Sequence, residues 1–383
     1  MDLTPITRPA VMLFLMLITF LNTSTTANAQ SRQFFSNAYR LIIGAEENLT
    51  ASISLGDVDG DEDLDAVVAN GRHWPQQNYI FLLGESGYKI AYDLGDKRST
   101  TYAAPLADLD HDGDLDILTG NDMAPNRIFL NDGRGQFTET GTFGKLEAPT
   151  RNLTVADLDK DGHTDVLITN RGAVNEICFN DGKANFSRTA TFGNEEDSTI
   201  DVEVADMDGD GDQDLILANR DGQQNFIYLN DGKANFSQSI PFGTGTDETR
   251  SVAIGDLNGD GHLDIVTANI GEANGIHFGD GKLNFSESVN FGTAEEHAYA
   301  VQVGDMDLDG DLDIAVANSG SPSVVYFNQG NGREFVPVYL TEDPYNSYGI
   351  VLAKLNDDAY PDIVLANSGG VNMIFINIEK GKD

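Results

Sequence analysis

An acidic segment of nine residues recurs along this chain at nearly constant spacing. It begins at Asp57, Asp108, Asp157, Asp206, Asp256 and Asp305, with a decayed copy at Lys354, at intervals of 51, 49, 49, 50, 49 and 49 residues. A unit of that size cannot bury a core alone, so such units pack against one another. Each segment leads into an apolar run ending in asparagine (Asn70, Asn121, Asn170, Asn219, Asn269, Asn318 and Asn367). A second run follows, such as IFLN at 128–131 or IYLN at 227–230. An Asn-Asp-Gly turn comes next in three units, at Asn131, Asn180 and Asn230, then a stretch closing on Phe-Gly at Phe143, Phe192, Phe242 and Phe291. The residues just before each acidic segment, SVAIG at 251–255 for example, supply a fourth run.

These runs are short, rich in Val, Ile, Phe and Tyr, and bounded by Gly and Asn; none holds a helical period. Four short strands per unit predict an all-β fold, a seven-bladed β-propeller of four-stranded blades. The seventh unit reaches only its third strand, ending at Asn377. Residues 34–44 (FFSNAYRLIIG) read like the missing fourth. Gly44 precedes Asp57 by 13 residues, as Gly95, Gly144, Gly193, Gly243 and Gly292 precede their own segments. This N-terminal strand is expected to complete the last blade and close the ring, removing an open edge. The tail from Ile378 to Asp383 is expected to be dispensable.

The acidic segments have the pattern of a cation loop. Oxygen donors stand at positions 1, 3, 5 and 9: Asp57, Asp59, Asp61 and Asp65; Asp108, Asp110, Asp112 and Asp116; Asp157, Asp159, Asp161 and Asp165; Asp206, Asp208, Asp210 and Asp214; Asp256, Asn258, Asp260 and Asp264; Asp305, Asp307, Asp309 and Asp313. Calcium takes six to eight oxygens in flexible geometry, and magnesium needs a stricter octahedron, so calcium at about six structural sites is the expectation. Glycine at position 6 permits a sharp bend, and Glu62 at that place in the first segment is expected to strain it. An EF-hand is excluded, because position 12 (Val68, Thr119, Ile168, Leu217, Thr267 or Val316) is never acidic. A merely solvated turn fits poorly, since unneutralised repulsion at this density would oppose folding. In the decayed copy Lys354 and Asn356 replace the first two acids, leaving Asp358 and Asp362, and no ion is expected there.

The stretch SVAIGDLNGDGHLD at 251–264, followed by IVTAN and later GDGKLNF, resembles the FG-GAP or VCBS repeat. Related repeats build the propeller head of integrin α subunits and occur in many secreted bacterial proteins and some fungal lectins. The resemblance covers about residues 34–377. It implies calcium held by side chains at positions 1, 3, 5 and 9 and by the backbone carbonyl at 7. It implies little about activity, because the fold hosts adhesion, lectin and lyase-type functions.

With 62 acidic against 23 basic residues, the formal net charge is −39. That excludes a nucleic-acid binder and argues against phosphates and acidic glycans as partners unless metal ions bridge them. One cysteine, Cys178, excludes an intrachain disulfide and a zinc–cysteine cluster. Arg8, the apolar run 11–21 and Ala27-Asn28-Ala29 make residues 1–29 a signal peptide, the run being too short for a membrane anchor. Residues 30–383 are then one secreted propeller, monomeric and not inserted in a membrane, or periplasmic or on the cell surface if the source is bacterial.

No catalytic motif appears, and the six histidines are scattered. A binding or adhesion module for an extracellular glycan or protein is the expected function; a carbohydrate-active enzyme of lyase or dehydratase type is the alternative. Two departures from uniformity mark candidate ligand contacts. The first unit has a long loop, Asn70 to Asn78, with the chain's one tryptophan, Trp74, between His73 and Pro75 and close to Arg72. It either presents Trp74 or tucks it over a neighbouring blade. Six residues before each segment stand Ala51, Tyr102, Arg151, Ile200, Arg250, Tyr299 and Tyr348. This position enters the innermost strand, so these side chains are expected to ring the channel mouth opposite the calcium loops. Acidic neighbours such as Glu46, Glu195, Glu248 and Glu295 predict that this face is acidic as well. Asn-Phe-Ser at Asn185, Asn235 and Asn284 matches a glycosylation acceptor, but one repeated hairpin position makes turn chemistry the simpler cause.

Overall fold

The second strand of each repeat is the one most deeply placed. Asp65–Asn70, Asp116–Asn121, Asp165–Asn170, Asp214–Asn219, Asp264–Asn269 and Asp362–Asn367 are buried at all six positions. Both faces of these strands are covered, which is why they read as continuous apolar runs rather than alternating ones. They belong to a computed structural model that describes residues 32–37, 40–85, 87–88 and 90–381. The expected signal peptide, residues 1–29, lies outside the described residues. Among the described residues there is no helix, and so none long and apolar enough to cross a membrane.

Each repeat is an antiparallel meander. In the third, Thr150–Ala156, Asp165–Asn170, Asn175–Phe179 and Arg188–Phe192 pair in chain order. Burial falls outward, from a fully buried third strand to an exposed fourth that hides only its terminal Phe192. In the second repeat the first strand splits into Thr101–Ala103 and Leu106–Ala107, because Pro105 between them has no N–H to donate. The sixth and seventh repeats share a sheet, since Asp313–Ser321 extends past Asn318 to pair with Tyr345–Ala353.

Alternate side chains of the buried strands face opposite neighbours. Val166 and Ile168 pack towards the second repeat with Leu118 and Ile128, whereas Leu167 packs towards the fourth with Leu215 and Leu217. The same arrangement continues around the chain. The last cluster joins Val364, Ala366 and Ile374 of the seventh repeat to Ile53, Val68 and Phe81 of the first. The fold is a β-propeller: sheets arranged so that each contributes one face to either neighbour.

The N-terminal strand lies where the sequence placed it, with two differences. It consists of two segments, Arg32–Phe35 and Ile42–Ile43, both antiparallel to Asn372–Glu379 but in different registers. Gly44 has the positive φ (75°) of its counterparts Gly95, Gly144, Gly193, Gly243 and Gly292. The strand starts at Arg32 rather than Phe34 because the Arg32 side chain is anchored. Its Nε donates to Asn377 Oδ1 at 2.9 Å, and its guanidinium lies 3.4 Å from the Tyr360 ring in the decayed acidic segment. The tail is also not wholly free, since Ile378 and Glu379 pair with Gln33 and Arg32.

Candidate functional site

The acidic loops lie at one end of the propeller, between first and second strands. Their carboxylates do two jobs. At position 9 both oxygens accept backbone N–H groups: Asp116 takes those of Leu109 and Asn131 at 2.9 Å each, and Asp313 those of Met306 and Asn328 at 2.8 Å. Asp362 in the decayed segment does the same with Leu355 and Asn377, so this fastening outlives the loss of the other acids. At position 1 one oxygen accepts the N–H of position 6, as Asp157 does from Gly162. At position 5 one oxygen accepts that of position 7, as Asp112 does from Asp114.

The oxygens left over point to a cation. Oδ1 of Asp59, Asp108, Asp110, Asp157, Asp159 and Asp307 is buried without a hydrogen-bond partner, a costly state for a carboxylate that a hard cation relieves. Carboxylate oxygens within 4.8 Å of one another gather at Asp57, Asp59 and Asp61; Asp108, Asp110 and Asp116; Asp157, Asp159 and Asp165; Asp206, Asp208 and Asp210; and Asp305, Asp307 and Asp313. Burial, then neighbouring carboxylates, raises Asp307 to about 6. An all-oxygen set of this kind suits calcium better than zinc or copper. The fifth loop differs from the others. Asn258 Nδ2 donates to Asp260 Oδ2 at 3.0 Å, and Asp256, Asp260 and Asp264 form no such cluster. In the third loop Arg188 pairs with Asp159.

The backbone turns through the left-handed region twice in these loops. Position 6 has φ of 72° at Glu62 against 97° at Gly113, so the first segment does carry a strained residue. Position 4 is left-handed too, at His111 (61°), Lys160 (59°) and Leu308 (59°), which the sequence did not announce. Hairpin asparagines join this end together across repeats. Asn131 Nδ2 donates to Val58 O at 2.8 Å, Asn180 to Leu109 O at 2.9 Å, Asn230 to Leu158 O at 2.9 Å and Asn377 to Met306 O at 2.7 Å. The first three fasten their hairpins, and Asn377 its strand, to the acidic loop of the preceding repeat. The Asn185, Asn235 and Asn284 side chains donate to Asp181, Asp231 and Asp280, as turn chemistry requires.

At the opposite end Ala51, Tyr102, Arg151, Ile200, Arg250, Tyr299 and Tyr348 all line one cavity of about 240 Å³ on the propeller axis. Above it a second cavity, about 250 Å³, adds Arg72, His73, Arg171 and Arg220. The long first-repeat loop reaches over both. Its Arg72 guanidinium stacks 3.5 Å from the Tyr348 ring, and His73 Nδ1 lies 3.3 Å from the Tyr102 hydroxyl. Trp74, the next residue, is 72% exposed. Tyr299 and Tyr348 meet edge to face at 4.2 Å, with Arg250 over Tyr299 and Arg151 over Tyr102.

The sequence reading missed two arginines and two acids here. Arg171 and Arg220 directly follow the repeated Asn170 and Asn219, a position that varies among repeats and could have been tabulated. Asp201 and Glu203 sit in the first strand of repeat four, Thr199–Ala205, and face the deeper cavity. Burial, then Asp201, raises Glu203 to about 8; burial also raises Asp201 and lowers Arg250 to about 10. The expectation of an acidic face is corrected at its centre. No carboxylate lines the upper cavity, and nearby acids are engaged: Asp122 pairs with Arg151 at 2.8 Å, Asp221 with Arg171 at 2.8 Å and Glu248 with Arg220 at 3.4 Å.

A family model described as FG-GAP-like repeat matches residues 57–119, 108–168, 157–217, 206–267, 256–316 and 305–365. No curated protein matches the chain. Among solved structures, BBS1N in complex with ARL6DN is similar at TM-score 0.61 and 13% identity, covering 91% of this chain and 97% of that one. An Agrocybe aegerita lectin, in a structure on recognition of non-reducing terminal N-acetylglucosamine, gives TM-score 0.54 and 22% identity over 76% and 80%. The WD40 domain of Toxoplasma gondii coronin gives 0.60 and 12% over 92% and 87%. At these identities the likeness is one of fold.

Proposed function

The chain belongs to the FG-GAP-like repeat family, and we propose that it is an exported, calcium-stabilised propeller of seven four-stranded blades that binds an extracellular glycan or protein. Residues 1–29 are its leader and residues 30–383 a single propeller domain. The convergence of unlike Arg and Tyr side chains on one cavity, at the end away from the acidic loops, carries this reading. Elsewhere the repeats copy one another; here the repeated position is diversified into residue types that dominate binding hot spots. The unbroken succession of inter-sheet cores, with the seventh repeat packed on the first, supports a closed ring of seven. The partnerless carboxylate oxygens support calcium in the loops. Among proteins of similar fold, BBS1N stands in complex with a protein and the Agrocybe lectin recognises a sugar.

The ligand docks on the channel mouth and exposed Trp74, and calcium acts on binding through the stability of the blades. A glycan and matrix-protein binding screen in calcium identifies the ligand class. Trp74→Ala, Arg151→Ala and Tyr299→Ala then weaken binding at unchanged melting temperature, whereas Asp110→Ala or Asp208→Ala lowers stability more than affinity. Mouth variants that bind normally, with loop variants that lose binding at full stability, overturn the assignment. One observation favours a carbohydrate-active enzyme instead: His73 beside the Tyr102 hydroxyl, its pKa lowered by burial first and then by Arg72, resembles an acid–base couple. New reducing ends or unsaturated products from polysaccharides, lost in His73→Ala, decide for that reading.

A further inference from the structure

We propose that the channel mouth recognises the carboxylate of a sugar acid, so that the ligand is a uronic acid residue of an acidic glycan; this rests on the mouth being the binding face. In a chain of net charge −39, five of the 23 basic residues converge on one cavity of about 250 Å³ that no carboxylate lines. Three of the five, Arg151, Arg171 and Arg220, have carboxylate partners. Among the described residues Arg72 and Arg250 have none, and the Nε of each is buried with no hydrogen-bond acceptor. Both guanidiniums are held against tyrosine rings, Arg72 on Tyr348 and Arg250 by Tyr299, so their forks are oriented before any ligand arrives. An oriented, unpaired guanidinium fork is built to take a carboxylate through paired N–H···O bonds.

The floor below has the opposite character. Asp201 and Glu203 face the lower cavity; Asp201 already accepts from Asn152 Nδ2 and the Val202 and Val252 N–H groups, so Glu203 is the group left to meet ligand hydroxyls. Glu203 is raised to about 8 and is largely uncharged at neutral pH, so it opposes an anion above it little. A ligand with a carboxylate at one end, hydroxyls at the other and C–H faces for the tyrosine rings matches this order. The volume lies just under the ~300–1,000 Å³ of drug-sized sites, which suits one terminal sugar residue.

The test is isothermal titration of the mature protein in saturating calcium with trigalacturonate, its methyl ester, inorganic phosphate and an Asp/Glu-rich peptide. Trigalacturonate is expected to bind about tenfold or more tighter than the uncharged ester, and to weaken with salt. Arg250→Gln and Arg72→Gln should each reduce that affinity about tenfold at unchanged melting temperature. Arg72 lies in a surface loop, so its variant remains informative if Arg250→Gln fails to fold. Equal binding of acid and ester overturns the inference, as does phosphate or peptide binding as tightly as the uronate. If no acid binds while another glycan or a protein binds in a Trp74-dependent way, this inference falls and the binding face stands. If binding of every kind ignores Trp74, Tyr299 and Arg72, both fall.

Discussion

The two ends of the propeller use the same repeated scaffold to opposite effect. At the loop end six segments carry nearly the same donors, and each loop is built from residues no more than nine apart. At the mouth the equivalent position holds Ala51, Tyr102, Arg151, Ile200, Arg250, Tyr299 and Tyr348, and the site exists only once all the repeats are assembled. The contrast teaches that repetition of one motif builds the loop end, whereas divergence at one repeated position builds the mouth. The loops gather carboxylate against carboxylate, whereas the mouth gathers guanidiniums.

Metal removal should separate the two ends most sharply. Extracellular calcium modules bind at roughly 10⁻⁴–10⁻³ M, and binding to the native state alone stabilises it by mass action. Melting temperature should therefore climb through millimolar calcium and fall in chelator, and an unchanged melt after verified metal removal would end the loop assignment. Ring closure comes next in size. Removing residues 30–44 should strip the partner from Asn372–Glu379 and leave an aggregation-prone edge, whereas removing residues 380–383 should be nearly silent. Similar solubility for both truncations would show that closure does not depend on the N-terminal strand.

Between the ends, Asn230→Ala should cost about 1–3 kcal/mol by leaving the buried Leu158 carbonyl unpaired, measured by denaturant unfolding. A pH titration probes the mouth. Glu203 is raised by burial and by Asp201, so the folded state holds a proton that the unfolded state releases at lower pH. The stability this contributes is complete below the unfolded value near 4.5 and is lost as pH rises through about 8. In saturating calcium, melting temperature should fall across that window, and Glu203→Gln should flatten the fall; an unchanged slope would contradict the burial of that carboxyl. The smallest effect belongs to Glu62→Gly. It relieves a left-handed non-glycine residue and should stabilise by about 0.5–1 kcal/mol while tightening calcium in the first loop.

How legible each region was follows from how local it is. The strands could be read because period, apolar runs and Gly-Asn punctuation act within a few residues. The seven-fold count of units and the N-terminal strand were visible as arithmetic, since Gly44 keeps the spacing of its counterparts. Side-chain roles that reach between repeats were not. The Asn-Asp-Gly asparagine looked like turn chemistry alone, yet Asn131, Asn180 and Asn230 also bind the loop of the preceding repeat, as does Asn377 at the equivalent place in the last repeat. Arg32 stood outside the expected strand because its partners, Asn377 and Tyr360, lie at the far end of the chain.

By itself the sequence determined the repeated meander, the acidic loops with their donor positions, and the ring position that lines the mouth. Tertiary structure alone decided the sign of the field in that mouth. A net charge of −39 argued against acidic partners, but net charge is a sum over the whole surface and a binding site feels only the groups within a few ångströms of it. Arg72, Arg151, Arg171, Arg220 and Arg250 come from four different repeats. Packing the sheets around one axis brings them together, while 28 of the 62 acids stand in the six acidic segments at the other end.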